Sequence, residues 1–400
     1  MKRKCLISSA LALLLVTSGI FQVSSYAAIS GYPSVRLSSL SDIDTLNSSY
    51  SCASSVNNKG QIVGQIYPSG YLSRSFLYEG SSLKLLDTTS GDSAANSIND
   101  DGQIVGWSTL SDGSKSSYII DKGTYANLHG PILDSLISEQ CANFINNKGQ
   151  IAGYFIADSL YRPLLWNNAS SFQIPGNRIE FLNSVNSKGI AVGQFTNEKG
   201  ENHACILNNE KITDLGTLGG KESCALDIND SDQVVGYSST ADGKSHAFLW
   251  DNGKLTDLGT LGGDSSSALA INNKGEIVGS STTASGETHG FIYRNKELFP
   301  IGTLGGNESI AYDINDNGQI VGAALTKNGV THAFTTTRTV VGDLNSDNLI
   351  NSTDLALMKR YILGITNNIN VPAADINGDD KINSADYNLL KRQIILPITL

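Results

Sequence analysis

Residues 314–322 read Ile-Asn-Asp-Asn-Gly-Gln-Ile-Val-Gly, and close copies of this stretch recur along the chain. There are seven copies, and their second-position asparagines are 42, 47, 40, 43, 43 and 43 residues apart. These asparagines are Asn57, Asn99, Asn146, Asn186, Asn229, Asn272 and Asn315. The closing glycines are Gly64, Gly106, Gly153, Gly193, Gly236, Gly279 and Gly322. A period of this length predicts a repeat architecture in which each copy is one structural unit.

Each copy contains four strand-like segments, and the sixth copy shows them clearly. We predict strands over 266–271, 276–281, 289–293 and 297–302. Gly275 lies in the turn between the first two, where glycine accepts the positive φ that tight turns need. Four antiparallel strands per ~43 residues are typical of a propeller blade. The sequence therefore predicts a mainly β fold, a seven-bladed β-propeller, with the strand before each repeat asparagine lining the axis.

The two ends of the array complement each other. The phrase Thr-Asp-Leu-Gly-Thr-Leu-Gly-Gly, which supplies the predicted fourth strand at 213–220 and 256–263, has a weaker echo at 37–46. The seventh copy reaches its third strand at 332–334 and then loses the pattern. We predict that the N-terminal segment supplies the missing fourth strand and closes the ring, which hides two sheet edges.

The third strand carries a recognisable triplet. His246-Ala247-Phe248 and the repeated Gly-Thr-Leu-Gly-Gly resemble the extracellular repeats named HAF after their His-Ala-Phe sequence. The match is good in copies four to seven, whereas residues 74–76, 116–118 and 163–165 replace the triplet in copies one to three. The resemblance implies a secreted, propeller-like module over 28–340 and does not imply an activity.

Repeated polar residues are interpreted as parts of the repeated structure. The histidines at one repeat position are His203, His246, His289 and His332. One histidine per blade forms a ring too wide for three or four zinc ligands to converge, so we favour capping of a turn or packing between blades. Asp214 and Asp257 are interpreted as turn anchors rather than as catalytic acids.

The cysteines of the array follow the same reasoning. Cys52, Cys141 and Cys224 share one repeat position in copies one, three and five, and Cys205 replaces the phenylalanine of a triplet. A disulfide needs Cα atoms within about 7 Å, which non-adjacent blades seldom provide. We predict four buried free thiols that pack as small hydrophobic side chains.

A ligand site on the propeller is expected where the copies differ. Trp107, Tyr154 and Tyr237 follow the closing glycine, where they could stack on a sugar ring or pack between blades, and we favour packing. The longest insert, 129–140, contains Asp134 and Glu139, and the next irregular segment contains Arg178 and Glu180. A glycosidase needs two carboxylates about 5–9.5 Å apart. The sequence does not show which of these acids lie that close together, so the catalytic residues are unknown.

The N-terminus is typical of a signal peptide. Lys2-Arg3-Lys4 precedes an apolar run over 6–16, and Ser25-Tyr26-Ala27 places small residues at a cleavage site after Ala27. No later stretch has the 18 consecutive apolar residues of a membrane span, so we expect a secreted, soluble mature chain. With 28 Lys+Arg against 38 Asp+Glu, the net charge is −10. Such an acidic chain disfavours binding to nucleic acid or to an anionic membrane.

The last sixty residues contain two twelve-residue loops with the ligand spacing of calcium sites. The ligands predicted from this spacing are Asp343, Asn345, Asp347, Leu349 (carbonyl), Asn351 and Asp354, then Asp375, Asn377, Asp379, Lys381 (carbonyl), Asn383 and Asp386. A helix is predicted after each loop, at 352–363 and 384–395, and none before it, since Val371-Pro372 would break one.

Two loop-helix units in this length resemble a type I dockerin, over 341–400. The resemblance implies two bound Ca²⁺, calcium-dependent folding and docking onto a cohesin of a cellulosomal scaffold. The recognition residues it implies are Ser352, Thr353, Lys359 and Arg360 in one half, and Ser384, Ala385, Lys391 and Arg392 in the other. The near-twofold repeat implies two binding orientations.

Three functions remain open for the whole chain. The first is a non-catalytic, cellulosome-associated protein whose propeller binds carbohydrate or protein, with plant cell-wall polysaccharide as a candidate partner. The second is a polysaccharide-degrading glycoside hydrolase or lyase, because dockerins usually deliver such enzymes. The third is a structural spacer. The missing acid pair favours the first, so the chain is more consistent with a binding protein than with an enzyme.

Overall fold

The computed structural model describes residues 35–37, 40–44, 46–68, 72–86, 88, 91–128, 137–157, 160–167, 170–173, 178–336, 338–340, 342–345, 349–369, 371–374, 376 and 381–395. They form two compact units. One lies within Ser39–Thr336, and the other combines the described residues before Ser39 with those after Thr336. The predicted signal peptide lies outside the described residues. In the described part of the chain, no helix is long and apolar enough to cross a bilayer.

The larger unit consists of strands. Two short strands precede the first copy: β1 (Val35–Leu37), which belongs to the smaller unit, and β2 (Ser41–Asp42). Copies one to three contain β3 (Tyr50–Val56), β4 (Ile62–Tyr67), β5 (Arg74–Glu79), β6 (Ser82–Leu85), β7 (Ser93–Ile98), β8 (Ile104–Thr109), β9 (Lys115–Asp121), β10 (Thr124–Asn127), β11 (Ile137–Ile145), β12 (Ile151–Ala157), β13 (Leu160–Asn167) and β14 (Ser170–Gln173).

Copies four to seven continue the same order. They contain β15 (Ile179–Val185), β16 (Ala191–Thr196), β17 (Asn202–Asn208), β18 (Lys211–Asp214), β19 (Gly219–Ile228), β20 (Val234–Thr240), β21 (Ser245–Asp251), β22 (Lys254–Gly259), β23 (Gly262–Ile271), β24 (Ile277–Thr283), β25 (Thr288–Arg294), β26 (Glu297–Pro300), β27 (Gly305–Ile314), β28 (Ile320–Thr326) and β29 (Thr331–Thr335). Within the described residues, β2 to β29 form three four-stranded sheets and two eight-stranded sheets. Each eight-stranded sheet consists of two antiparallel groups of four strands joined by one parallel pair, which gives seven groups of four in all. The mainly β prediction is confirmed.

The sixth copy has the four strands that its sequence predicts, but the first of them starts early. β23 begins at Gly262 rather than at residue 266 and pairs there with Thr283 of β24. Gly262 has a φ of +100°, a backbone conformation that favours glycine. Glycine has a low intrinsic propensity for strands, so propensity alone does not predict that β23 begins at this residue.

The N-terminal segment supplies the fourth strand of the last group. Ser41 pairs with Thr335 and Asp42 with Phe334 in antiparallel register, next to β29. The Ile43 N–H then donates to the Ala333 carbonyl at 3.1 Å. The sheet order is β2-β29-β28-β27, as the permuted phrase at 37–46 predicts.

The glycine that closes each phrase is required by close contact between strands. A Cβ at Gly236 would lie 1.9 Å from the Cys224 carbonyl oxygen on the preceding strand. The equivalent distance is between 1.9 and 2.1 Å in all seven copies. The φ of Gly236 does not lie in the left-handed region, so the lack of space for a Cβ, and not the backbone conformation, selects glycine at this position.

The smaller unit contains β30 (Arg338–Val340), α1 (Ser352–Ile362), α2 (Val371–Ala374) and α3 (Ser384–Ile395), and β1 pairs with β30. Leu344, Met358, Ala374 and Leu390 form its buried centre. Both long helices agree with the sequence prediction. The single turn α2 differs from the sequence prediction, which treats Val371-Pro372 as a helix breaker. Proline is tolerated in the first turn of a helix, where the N–H it lacks would be unpaired.

Candidate functional site

The predicted calcium loops are partly described. Asp347, Asp375, Asn377 and Asp379 lie outside the described residues, whereas Asp343, Asn345, Leu349, Asn351, Asp354, Lys381, Asn383 and Asp386 lie within them. The aspartate at the twelfth position organises each loop through the backbone. Asp354 accepts from Leu344 N at 2.8 Å and from Asn351 N at 2.9 Å. Asp386 accepts from Ile376 N at 2.8 Å and from Asn383 N at 3.0 Å, so the two loops share one arrangement.

The chemistry of these residues suits calcium. Asp354 and Asp386 are both 0% exposed, and Asp343 is 3% exposed. Burying ionised carboxylates costs free energy unless hydrogen bonds and opposite charge compensate for it. Carboxylate, amide and carbonyl oxygens are the ligands that Ca²⁺ takes. A bound Ca²⁺ would supply the compensating charge beside these buried acids.

The predicted recognition residues lie on the exposed surface of the two long helices. Asn351 caps α1 by accepting from Thr353 N at 2.7 Å, and Asn383 accepts from Ala385 N at 2.8 Å. The exposed residues are Ser352, Thr353, Lys359, Arg360, Ser384, Ala385, Lys391 and Arg392. The loop that carries the predicted calcium ligands therefore also starts the helix that carries the predicted recognition residues.

The repeat asparagines join the seven groups of the larger unit around one axis. Each Nδ2 donates to the backbone carbonyl of the next copy's asparagine at 2.8–3.2 Å, and Asn315 returns to Asn57. The ends of the first strands of all seven groups line a central cavity of about 140 Å³. The strand before each asparagine thus lies at the axis, as the sequence predicts.

Two acids at this cavity were missed by the sequence reasoning. Asp227 accepts from Ser184 Oγ at 2.7 Å, from Ile228 N at 2.8 Å and from Ile271 N at 2.9 Å. Asp313 occupies the same repeat position, and burial raises the pKa of both carboxyls, that of Asp227 to about 7. The only sequence signal is an acid where other copies have serine, phenylalanine or alanine.

We expect the stability of the protein to fall as Asp227 ionises. Its folded-state pKa lies above the ordinary value of 3.8, so between these two values the folded chain binds more protons than the unfolded chain. This stabilisation is complete below about pH 4 and is lost as the pH rises through about 7. Denaturant unfolding of Asp227→Asn and of the wild type should therefore diverge in favour of the variant as the pH rises. A difference independent of pH would contradict this.

Three of the four repeated histidines link the third and fourth strands of their own group, whereas His289 Nε2 lies 3.8 Å from Glu287 Oε2. His203 Nδ1 lies 2.9 Å from Asp214 Oδ1, and His246 Nδ1 lies 2.9 Å from Asp257 Oδ2. In the last group His332 Nδ1 lies 2.7 Å from Oδ2 of Asp42, on the N-terminal strand. The sequence predicts that these histidines cap a turn or pack between blades, and the contact observed in these three groups is a hydrogen bond between adjacent strands of one group.

The aspartates and cysteines have the predicted structural roles. Asp214 Oδ1 accepts from Gly216 N at 2.8 Å, and Asp257 Oδ1 accepts from Gly259 N at 2.7 Å, which confirms them as turn anchors. The cysteines Cys52, Cys141, Cys205 and Cys224 are buried and form no disulfide within the described part of the chain, as predicted. Burial raises the pKa of the last three thiols to about 12, so they remain protonated and unreactive.

The three aromatic residues after the closing glycine differ in environment. Tyr154 is 3% exposed, and its hydroxyl donates to Glu139 Oε1 at 3.3 Å, which confirms burial at this position. Tyr237 is partly buried. Trp107 is partly buried to a similar degree, and the Lys115 ammonium lies 4.3 Å from the centroid of its ring.

The other candidate polar residues do not converge. Asp134 lies outside the described residues. Arg178 forms an exposed ion pair with Glu198 at 3.5 Å, and Glu180 accepts from Thr196 Oγ1 at 3.2 Å. These contacts account for both residues without assigning them a catalytic role.

The fold resembles solved β-propellers. The β-propeller domain of the Trilobed protease from Pyrococcus furiosus, reported to have an open velcro topology, matches with a TM-score of 0.53 and 11% identity over 72% of this chain and 94% of that one. An acylaminoacyl peptidase from Pyrococcus horikoshii matches with a TM-score of 0.51 and 10% identity over 74% of this chain and 52% of that one. At this identity the likeness establishes the fold alone, and it leaves enzymatic activity open.

The larger unit and the two loop-helix units together define a propeller-like protein with a C-terminal docking module. Residues 341–395 match the family described as Dockerin type I domain, so the chain carries a type I dockerin at its C-terminus. Such a domain implies a cohesin partner, calcium binding and extracellular association with a cellulosome. No curated protein sequence matches the chain.

Proposed function

We propose that this chain is a secreted, cellulosome-associated protein that docks through its dockerin onto a scaffold cohesin and thereby delivers a propeller that binds ligands. The observation that carries this proposal is the duplicated arrangement in the dockerin. In both halves a buried aspartate closes the loop, an asparagine caps the next helix, and exposed recognition residues follow on that helix. The match to type I dockerins supports the same conclusion.

Two calcium ions complete the docking module in this proposal. Asp343, Asn345, Asp347, Leu349, Asn351 and Asp354 would hold one ion, and Asp375, Asn377, Asp379, Lys381, Asn383 and Asp386 would hold the other. When bound, calcium compensates the clustered negative charge of the loops. The residues of the chain then fix the starts of α1 and α3 and so orient the recognition residues.

We also propose that the larger unit is a closed, seven-bladed propeller of HAF repeats, within a domain spanning about residues 28–340 after removal of a signal peptide at 1–27. The seven groups of four strands, the ring of asparagines and the pairing of β2 with β29 support this. The propeller would bind carbohydrate or protein during polysaccharide breakdown.

The alternative of a glycoside hydrolase or lyase gains no support from the comparisons, which show the fold alone. The described candidate acids Glu139 and Glu180 accept hydrogen bonds from Tyr154 and Thr196 within the protein. We therefore propose a non-catalytic propeller. Release of reducing ends from xylan or cellulose by the purified full-length chain, absent from a mock preparation, would contradict this assignment.

A variant of one helix tests the proposed recognition residues. Because the two halves share one arrangement, Ser352→Ala with Thr353→Ala should leave cohesin binding within about threefold of wild type, since α3 can take over after rotation of the module. Adding Ser384→Ala, Lys391→Ala and Arg392→Ala should weaken binding by more than about a hundredfold. Surface plasmon resonance on an immobilised type I cohesin measures both. Complete loss in the single-helix variant would refute two binding orientations.

A further inference from the structure

The last group of strands closes without the hairpin turn that the other groups have. In each of those six groups, two residues join the third strand to the fourth. In the five of these turns that the structure describes, both residues have a positive φ, as Asn252 and Gly253 do. Such turns hold two antiparallel strands in register. In the last group, β29 and β2 come from opposite ends of the array, so no turn joins them.

A second, short ladder follows the same two chain segments. β1 pairs antiparallel with β30, with Val35 opposite Val340 and Leu37 opposite Arg338. Three residues lead from β1 to β2, and two lead from β29 to β30. Along the chain, the β1–β30 ladder therefore occupies the position at which a covalent turn joins the third and fourth strands in the other groups.

The β1–β30 ladder belongs to the smaller unit, which also contains the dockerin. Directly after β30, the Gly342 N–H donates to the Ala373 carbonyl at 2.8 Å. The Leu344 N–H donates to the Asp354 carboxylate at 2.8 Å, and Leu344 is only 1% exposed. Asp354 is a predicted calcium ligand. The segment that continues β30 is therefore held by the same loop that calcium would complete.

The residues that follow β1 join the last copy of the array to the first. Ile43 is 1% exposed and packs in one cluster with buried residues of both copies. Asp44 Oδ2 accepts from Ser51 Oγ at 2.8 Å, and Ser51 Oγ accepts from the Ala333 N–H at 2.9 Å. The segment 41–44 thus closes the array, and any contact that keeps this segment close to β29 stabilises the closed form.

We propose that the β1–β30 ladder couples closure of the propeller to loading of the dockerin with calcium. While the dockerin is folded, the ladder keeps segment 41–44 close to β29, so that their pairing has a high effective concentration. When the dockerin unfolds, β30 is no longer held, and segment 41–44 loses more conformational entropy on pairing. By linkage, calcium that stabilises the dockerin also stabilises the propeller. The inference rests on the proposed calcium loading and ring closure.

The tryptophans allow unfolding of the propeller to be followed by itself. All three, Trp107, Trp166 and Trp250, lie in the larger unit. In thermal unfolding of the full-length chain followed by tryptophan fluorescence, excess EDTA should lower the melting temperature by at least about 3 °C relative to calcium. Asp354→Ala combined with Asp386→Ala should give the same shift in the presence of calcium. A shift in EDTA that this variant does not reproduce would place the calcium effect outside the dockerin and overturn the inference.

Two variants of β1 test the ladder itself. Val35→Pro, Arg36→Pro and Leu37→Pro together remove the backbone N–H groups of β1. This variant should unfold in calcium at the temperature of the wild type in EDTA, with less than about 1 °C of further shift on chelation. Val35→Ala, Arg36→Ala and Leu37→Ala together are the matched control, because alanine keeps the N–H groups and should retain the response to calcium.

The outcomes separate the coupling from the docking function. A melting temperature that EDTA leaves unchanged in the wild type would overturn the coupling, as would a full shift in the proline variant. If EDTA abolishes cohesin capture and yet leaves this melting temperature unchanged, the docking function stands and only the coupling is wrong. If capture persists in EDTA, calcium-dependent docking and the coupling are both wrong.

Discussion

Removal of calcium should abolish capture of the full-length chain by an immobilised type I cohesin, with a loss of more than about a thousandfold in affinity. Asp343 and Asp354 are 3% and 0% exposed in the first loop. Without metal, the carboxylates of each loop repel one another, and a module of ~60 residues has too small a core to resist this. We therefore expect calcium binding and folding of the docking module to be coupled.

The measurement compares surface plasmon resonance in calcium with the same experiment in excess EDTA, followed by readdition of calcium. Asp354→Ala combined with Asp386→Ala should reproduce the loss in the presence of calcium, because both residues hold loop backbone N–H groups as well as contributing to the proposed calcium sites. Asp242→Ala is the control, since Asp242 is an exposed turn residue of the larger unit. Undiminished capture in excess chelator would refute the calcium-coupled mechanism.

The second large effect is expected from Gly236→Ala, which should destabilise the larger unit by about 3 kcal/mol or more. The added methyl group would lie 1.9 Å from the Cys224 carbonyl oxygen and 3.1 Å from the Ala225 Cα. Both contacts are with backbone, so no side-chain rotation relieves them. The strands β19 and β20 would have to separate at the point where the first strand lines the axis.

Gly243→Ala is the matched control for this substitution. Gly243 lies in an exposed turn with a φ of +83°, and nothing lies within 4 Å of an added Cβ. Only backbone strain opposes alanine there, at about 1 kcal/mol. Chemical denaturation followed by intrinsic fluorescence gives both values. Equal destabilisation of the two variants would show that conformation, and not close contact, selects glycine at the end of the repeated phrase.

Much of the architecture could be predicted from the sequence because its causes are local. The alternation of turn residues and short apolar runs defines the four strands of a copy, since a glycine such as Gly275 fixes a turn within four residues. The permuted phrase at 37–46 predicts the pairing of β2 with β29. The spacing of oxygen-bearing residues predicts the calcium loops, because their ligands come from one short segment.

What only the tertiary structure decided involves partners outside the short segments that define a turn or a loop. Nothing near Gly236 in the sequence indicates that its Cα approaches the Cys224 carbonyl, and nothing near Asn229 indicates that its amide reaches Asn272. The raised pKa of Asp227 likewise comes from burial at the axis. Periodicity identifies the repeated unit. The contacts between units depend on which segments of backbone the ring brings together, because burial and close packing act only on groups that are neighbours in the folded chain.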